Sequence, residues 1–168
     1  MRPRPPNWLF DAGPQRSSVL GVTVFAALCA LGSTWAGWGI WHALGLTPAT
    51  GNQLSPWQER LFMVLVVAGL GWGFLGGMLV YLRCYVSQIV VIDADTVELR
   101  VLLSIRPIRV DGLNGPTTQA HEGRFERRMA VTVSAPWTSL RLPERRLPLI
   151  IDEQGEWNKA TRRPNWLQ

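Results

Sequence analysis

Residues 61–82 read LFMVLVVAGLGWGFLGGMLVYL, and no charged side chain interrupts them between Arg60 and Arg83. A helix needs about 20 predominantly apolar residues to cross the roughly 30 Å hydrocarbon core of a bilayer. This stretch is apolar on every side, whereas a surface helix of a soluble domain carries a polar stripe at a period of 3.6 residues. It predicts a membrane-spanning helix over residues 60–85.

Another uncharged stretch lies earlier in the chain, at residues 19–46. It exceeds the roughly 7 to 15 residues of a signal-peptide core, so a second spanning helix at residues 18–46 is the better interpretation. The loop between the two spans, residues 47–59, contains Pro48, Gly51, Asn52 and Pro56. A connection this short and rich in turn residues predicts an antiparallel hairpin of two transmembrane helices.

Basic residues lie on both outer sides of the hairpin: Arg2, Arg4 and Arg16 before it, and Arg83, Arg100, Arg106 and Arg109 after it. The loop carries only Arg60, at its edge. By the positive-inside rule, the basic N-terminal segment (residues 1–17) and the C-terminus face the cytoplasm. We therefore expect a multi-pass integral protein of a bacterial inner membrane or a photosynthetic membrane.

Small residues repeat along both predicted helices. Glycines recur every four residues in the second helix, at Gly69, Gly73 and Gly77, with Gly71 and Gly76 nearby. The first helix offers a less regular face of Ala26, Ala30, Ser33 and Gly37. Small side chains allow helices to approach closely in lipid. Packing within the hairpin is the preferred interpretation, and the alternative is a groove for a helix of another membrane subunit. Trp72 would fill space among the glycines, and its indole N–H would need an acceptor.

Aromatic residues gather near the predicted ends of the helices. Belts at the membrane interfaces account for most of them, with Tyr81 and Tyr85 on the cytoplasmic side. On the other side, where His42 also lies, are Trp35, Trp38, Trp41 and Trp57. His42 itself is interpreted as a hydrogen-bonded interface residue. The alternative is a ligand for haem or for the magnesium of a chlorophyll-type pigment.

The chain changes character after the second helix, and residues 86–156 predict a cytoplasmic β module. Residues 89–92 and 97–101 flank the turn residues Asp93-Ala94-Asp95 and predict a hairpin. Residues 105–110 predict an edge strand because Pro107 interrupts them, and residues 127–133, 139–142 and 147–151 complete five or six short strands. A small antiparallel barrel or half sandwich is expected, with a thin core that the membrane anchor or a partner completes. Residues 157–168 are expected to form an irregular tail held by its tryptophans or by another chain.

Motifs for catalysis are missing from the sequence, which has no glycine-rich phosphate loop, His/Cys metal cluster or Gly-x-Ser-x-Gly turn. We therefore expect no enzyme, no metal site and no bound cofactor. His121 beside Glu122 is interpreted as a solvated loop residue. Nucleic-acid binding is disfavoured because no aromatic and basic RNA-binding motif is present.

Two arginine groups are the remaining functional signal of the module: Arg124, Arg127 and Arg128, and Arg141, Arg145 and Arg146. Near an anionic cytoplasmic leaflet each such residue contributes about 1 kcal/mol of attraction. They predict a basic surface for membrane lipid or for a partner protein. Ordinary surface ion pairs with Glu122, Glu126 and Glu144 are the alternative.

Three segments carry a family resemblance: Gly13-Pro14-Gln15-Arg16 before the first helix, the hairpin over residues 92–101, and residues 122–128 leading into the predicted strand 129–133. With the two-helix hairpin, they make the chain resemble bacterial membrane proteins with a pleckstrin-homology-like domain. More specifically, the order is similar to that of the two-helix photosystem I assembly factors of thylakoids and cyanobacteria. The sequence lacks the C-terminal helix that usually closes such a domain.

The resemblance implies a non-enzymatic protein that assembles, scaffolds or stabilises a larger membrane complex, of a photosynthetic or respiratory kind. Its partners would be other integral membrane subunits and membrane lipids. Two alternatives stay open from the residues themselves: a module that binds anionic lipid or the membrane surface, and a small pigment- or haem-binding subunit that uses His42.

Overall fold

The computed structural model describes residues 5–112, 116–122, 124–126, 132–134, 136–162 and 164–167. The chain divides into two compact units. One unit is Leu20–Val80, and the other combines Met1–Val19 with Tyr81–Gln168.

Two long helices match the two predicted spans. Helix α1 is Pro14–Ala43 and helix α2 is Trp57–Cys84. Proline suits the first position of α1 because its missing N–H would have no partner there. Before it, Gly13 adopts a φ of 51° and donates its N–H to Asp11 Oδ1 at 2.9 Å. Both helices begin a few residues earlier than predicted, α1 at residue 14 instead of 18 and α2 at residue 57 instead of 60.

The connection between the helices is a compact turn. It contains a short 3-10 segment, Pro48–Thr50, and positive φ angles at Gly45, Gly51 and Asn52. The Ser55 N–H donates to the Leu44 carbonyl oxygen at 2.9 Å and closes the turn. Glycine and asparagine tolerate this backbone conformation with little strain, so the turn residues of the sequence are used as predicted.

The sides of both helices are apolar and mostly uncovered. Only 11% of the most apolar window of α1 and 6% of that of α2 is buried, and both helices are long and apolar enough to cross a membrane. Phe25, Leu65 and Leu70 are each at least 60% exposed. A core helix of a soluble domain would cover such residues.

A five-stranded antiparallel sheet forms the larger part of the β module, in the order β10–β1–β2–β3–β4. Its strands are β1 (Trp8–Asp11), β2 (Val86–Val91), β3 (Thr96–Val101), β4 (Ile108–Asp111) and β10 (Glu156–Trp157). The predicted hairpin after the second helix is confirmed as β2 and β3. Strand β4 is an edge strand, as Pro107 indicates, but it begins at Ile108 instead of residue 105.

Two smaller antiparallel sheets complete the described strands. One has the order β5–β8–β9, and the other pairs β6 with β7. Their strands are β5 (Thr117–His121), β6 (Arg124–Glu126), β7 (Thr132–Ser134), β8 (Trp137–Arg141) and β9 (Leu149–Asp152). The predicted strand over residues 127–133 lies largely outside the described residues.

The two larger sheets share one apolar core. Its buried members are Leu9, Phe10, Ala12, Tyr85, Val86, Ile89, Val97, Leu99, Val101, Val110, Leu140, Leu149, Ile151 and Leu167. A parallel bridge between Tyr85 and Ile150 links the sheets. The helical hairpin followed by an antiparallel β module is thus confirmed.

Three predictions need correction. The N-terminal segment is not merely basic, because Trp8–Asp11 forms the second strand of the main sheet and pairs with both β2 and β10. The C-terminal tail is less irregular than expected, since it begins within β10 and its Leu167 is buried in the core. Tyr85 is fully buried in that core and is not an interface aromatic. Its hydroxyl has no hydrogen-bond partner among the described residues.

Candidate partner and lipid surfaces

The helices of the hairpin approach each other closely at Gly71. A Cβ added there would lie 2.7 Å from Ser33 Cβ and 2.9 Å from the Cys29 carbonyl oxygen, with Ser33 Oγ closer still. Gly71 is buried for this reason. Only a residue without a side chain fits at this point.

The small residues of α1 are also buried in the hairpin. Ala26, Ala30 and Gly37 are the buried residues of α1. They are three of the four that the sequence indicated for packing, and the fourth, Ser33, is half-buried. At Gly37, an added Cβ would lie 3.4 Å from Val64 Cγ1, which is ordinary to tight van der Waals contact. This contact and the one at Gly71 occupy different turns of the hairpin.

Trp72 follows Gly71 and joins the two helices through a hydrogen bond. Its indole N–H donates to Thr34 Oγ1 at 3.1 Å, and the Thr34 hydroxyl donates to the Ala30 carbonyl oxygen at 2.8 Å. The acceptor that the sequence required for this indole is therefore a threonine of the same chain. Trp72 remains 54% exposed.

The other glycines of α2 face away from the hairpin contact. Gly69, Gly73 and Gly77 are exposed, and a Cβ added at any of them would have no described neighbouring heavy atom within 4 Å beyond the local helix backbone. At 3.6 residues per turn, Gly71 is rotated about 200° from Gly69 and from Gly73. The predicted packing within the hairpin therefore holds for the neighbouring Gly71 but not for these three glycines. We call Gly69, Gly73 and Gly77 the open glycine face.

His42 lies on the exposed side of the last turn of α1. Its ring contacts Trp38, with the centroids 4.5 Å apart and the planes tilted by 54°. Nearby, Arg60 Nη1 donates to the Trp41 carbonyl oxygen at 2.9 Å, and its guanidinium lies 4.9 Å from the centre of the Trp41 ring. Arg60 of α2 and Trp41 of α1 thus join the two helices at this end of the hairpin.

The second arginine group lines an open cleft in the β module. Arg141, Arg145 and Arg146 surround a volume of about 350 Å³ together with Thr117, Leu142 and Pro143. In the first group, Arg127 and Arg128 and the side chain of Arg124 lie outside the described residues. Among the described residues, the structure therefore brings together the second group.

A neighbouring cleft was not predicted from the sequence. It has a volume of about 520 Å³ and is lined by Arg83, Leu103, Ser104, Ile105, Arg106 and Arg145. Residues 102–107 form the loop between β3 and β4, whereas the sequence assigned Ile105 to a strand. The sequence signal for this cleft was the apolar pair Leu103 and Ile105 ahead of Pro107. Apolar side chains grouped in a loop are unusual on the surface of a soluble domain.

His121 differs from its predicted environment. It lies in β5 and is half-buried, not solvated in a loop. Its ring stacks on Trp137 with the centroids 3.9 Å apart, and Nε2 is hydrogen-bonded to Ser139 Oγ at 3.1 Å. These contacts give His121 a structural role in the β5–β8–β9 sheet.

Among the described residues, no group of three or more His, Cys, Asp or Glu side chains could hold a metal ion. Comparison with models of known protein families, with curated proteins and with solved structures gives no match. The arguments for function therefore come from the helix surfaces and the arginine-lined clefts of this chain.

Proposed function

We propose that the protein is an integral membrane protein that binds a helix of another membrane subunit through the open glycine face of α2, and so helps to assemble or stabilise a larger complex. Both helices would span the bilayer, with the termini and the β module on the cytoplasmic side. The observation that carries the proposal is the absence of a described neighbour at Gly69, Gly73 and Gly77, while Gly71 closes the hairpin.

The open glycine face has the properties of a helix-docking surface in lipid. Lipid tails are as apolar as leucine, so helices associate there through close van der Waals contact, which a row of glycines permits. Packing between the two helices of the hairpin already uses Gly71, Ala26 and Ala30 as its small residues. Trp72 stands beside the row, with its N–H satisfied and half of its surface uncovered.

The membrane topology is tested by labelling single cysteines with an impermeant maleimide in intact cells. In a Cys29→Ala/Cys84→Ala background, Asn52→Cys in the helix connection is expected to react from outside. Ala94→Cys in the β2–β3 turn is expected to react only after the membrane is permeabilised. Equal labelling of both positions in intact cells would contradict the proposed orientation.

Partner binding is tested by replacing Gly73 with leucine in the full-length protein. The Cβ of a leucine at this position has no described neighbour within 4 Å beyond the local helix backbone, so we expect the hairpin to stay folded. The side chain would fill the open glycine face, and the yield of a co-purifying membrane subunit is expected to fall tenfold or more. Solubilisation in mild detergent, affinity purification and native electrophoresis measure the loss. Gly32→Leu is the matched control, because Gly32 is also an exposed glycine with no described neighbour within 4 Å.

Two results would overturn the proposal. One is migration of the wild-type protein only as a free monomer with no co-purifying subunit. The other is equal loss of the partner in Gly73→Leu and Gly32→Leu. The resemblance to photosystem I assembly factors directs the first search toward subunits of photosynthetic complexes.

A further inference from the structure

We infer that the β3–β4 loop, residues 102–107, together with Arg83 and Arg145, binds the head group of an acidic phospholipid in the leaflet where α2 ends. This site is separate from the open glycine face. It rests on the insertion of α2 in the bilayer, but not on the existence of a partner subunit.

Strand pairing places the loop beside the end of α2. Strand β2 begins two residues after α2, and its Val86 pairs with Val101 at the end of β3. The Leu102 N–H donates to the Tyr85 carbonyl oxygen at 3.0 Å. The loop therefore leaves the sheet next to the last turn of α2, where a spanning helix meets the head groups.

The loop presents apolar side chains that the described part of the chain leaves uncovered. Ile105 is fully exposed, and Leu103 is 47% exposed. The turn is held by its own hydrogen bonds: the Ser104 N–H donates to the Val101 carbonyl oxygen at 3.2 Å, and Ser104 Oγ donates to the Arg106 carbonyl oxygen at 2.8 Å. A fixed loop with an exposed isoleucine at its tip is suited to dip into the interface between head groups and acyl chains.

Charge complementarity selects an acidic head group. Arg83, Arg106 and Arg145 line one cleft of about 520 Å³ with the two apolar side chains. None of the three forms an ion pair with an acidic residue in the part of the chain that the structure describes. Guanidinium groups bind phosphate oxygens in a bidentate manner, and their apolar stems lie well along acyl chains. A phospholipid satisfies the arginines and the isoleucine together, whereas a soluble anion satisfies only the arginines.

Loop insertion is measured with an environment-sensitive fluorophore on the full-length protein in nanodiscs. Ile105→Cys, in a Cys29→Ala/Cys84→Ala background, is labelled with NBD. We expect a blue shift and quenching by nitroxide lipids in discs of mixed phosphatidylcholine and phosphatidylglycerol, and much weaker effects in pure phosphatidylcholine. Ala94→Cys is the control, because the β2–β3 turn lies at the opposite end of β3. A water-exposed probe at position 105 in both kinds of disc would overturn the inference.

The arginines are tested by titrating phosphatidylglycerol into the detergent-solubilised full-length protein and counting bound lipids by native mass spectrometry. Arg83→Gln, Arg106→Gln and Arg145→Gln are each expected to raise the apparent Kd about fivefold. Arg109→Gln is the matched control, since Arg109 is also exposed but does not line the cleft. Equal effects of Arg106→Gln and Arg109→Gln would contradict the site. Displacement of the lipid by inorganic phosphate at matched ionic strength would identify a soluble anion as the ligand instead.

Discussion

Replacing Phe10 with alanine is expected to lower the free energy of unfolding of the β module by about 3–5 kcal/mol. Phe10 is fully buried and lies in β1, between β2 and β10. Its ring packs against Trp157 with the centroids 4.9 Å apart. An added Cβ at Gly155 would lie 2.6 Å from Phe10 Cζ. The substitution would therefore leave a cavity that rigid strands on both sides cannot close.

Hydrogen exchange on the full-length protein in detergent measures this effect. The amides of β2, residues Val86–Val91, should exchange faster in Phe10→Ala than in the wild type. Phe62→Ala is the control, because Phe62 is 66% exposed on the side of α2 and its loss should change stability by about 0.5 kcal/mol or less. Unchanged protection of β2 in Phe10→Ala would show that β1 does not stabilise the sheet.

Strand β1 illustrates what the sequence could not reveal. Residues 8–11 are only four amino acids long, they follow a run rich in proline and arginine, and their pattern has no period. They form a strand because Phe10 pairs with Ile89 on one side and with Trp157 on the other. Both partners are more than seventy positions away in the sequence. No local pattern encodes such pairing, so residues 1–17 were interpreted as a basic segment alone.

The helices were predictable because their signal is local and continuous. Uninterrupted apolar residues between Arg60 and Arg83 define α2, and the turn residues around Gly51 define the connection. The hairpin β2–β3 was predictable for the same reason, since Asp93-Ala94-Asp95 separates two short apolar strands. Neighbours in the sequence form each of these structures.

The candidate site was only partly predictable. The sequence indicated that α2 packs through small residues, but the choice among its glycines depends on how the helix is rotated about its axis. A regular spacing drew attention to Gly69, Gly73 and Gly77, whereas the contact uses Gly71. Likewise, Arg83 and Arg106 come together only because β3 returns to the end of α2.

Replacing Gly71 with valine is expected to separate the two helices and to lower the stability of the hairpin by about 1–3 kcal/mol or more. The first added carbon would already lie 2.7 Å from Ser33 Cβ and 2.9 Å from the Cys29 carbonyl oxygen. The carbonyl belongs to the backbone of α1 and cannot turn aside. Relief of the clash requires movement of a whole helix, which would also lengthen the hydrogen bond between Trp72 and Thr34.

Gly73→Val is the matched control for this substitution. Both changes place the same β-branched residue in α2, so the intrinsic helix-propensity change is nearly the same. Position 73 has no described neighbour for the new side chain within 4 Å of its Cβ. Thermal unfolding in detergent, followed by circular dichroism and tryptophan fluorescence, should show a lower Tm for Gly71→Val than for Gly73→Val. Equal melting of the two variants would contradict the close contact at Gly71.

The same pair of variants separates folding from partner binding. Gly71→Val should weaken the hairpin and, through it, any complex that the hairpin joins. Gly73→Val should leave the hairpin intact and weaken only the complex, because its side chain occupies the open glycine face. A complex lost in Gly73→Val while the melting temperature is unchanged would assign the two sides of α2 to different contacts. Loss of the complex only in Gly71→Val would instead place the partner elsewhere on the protein.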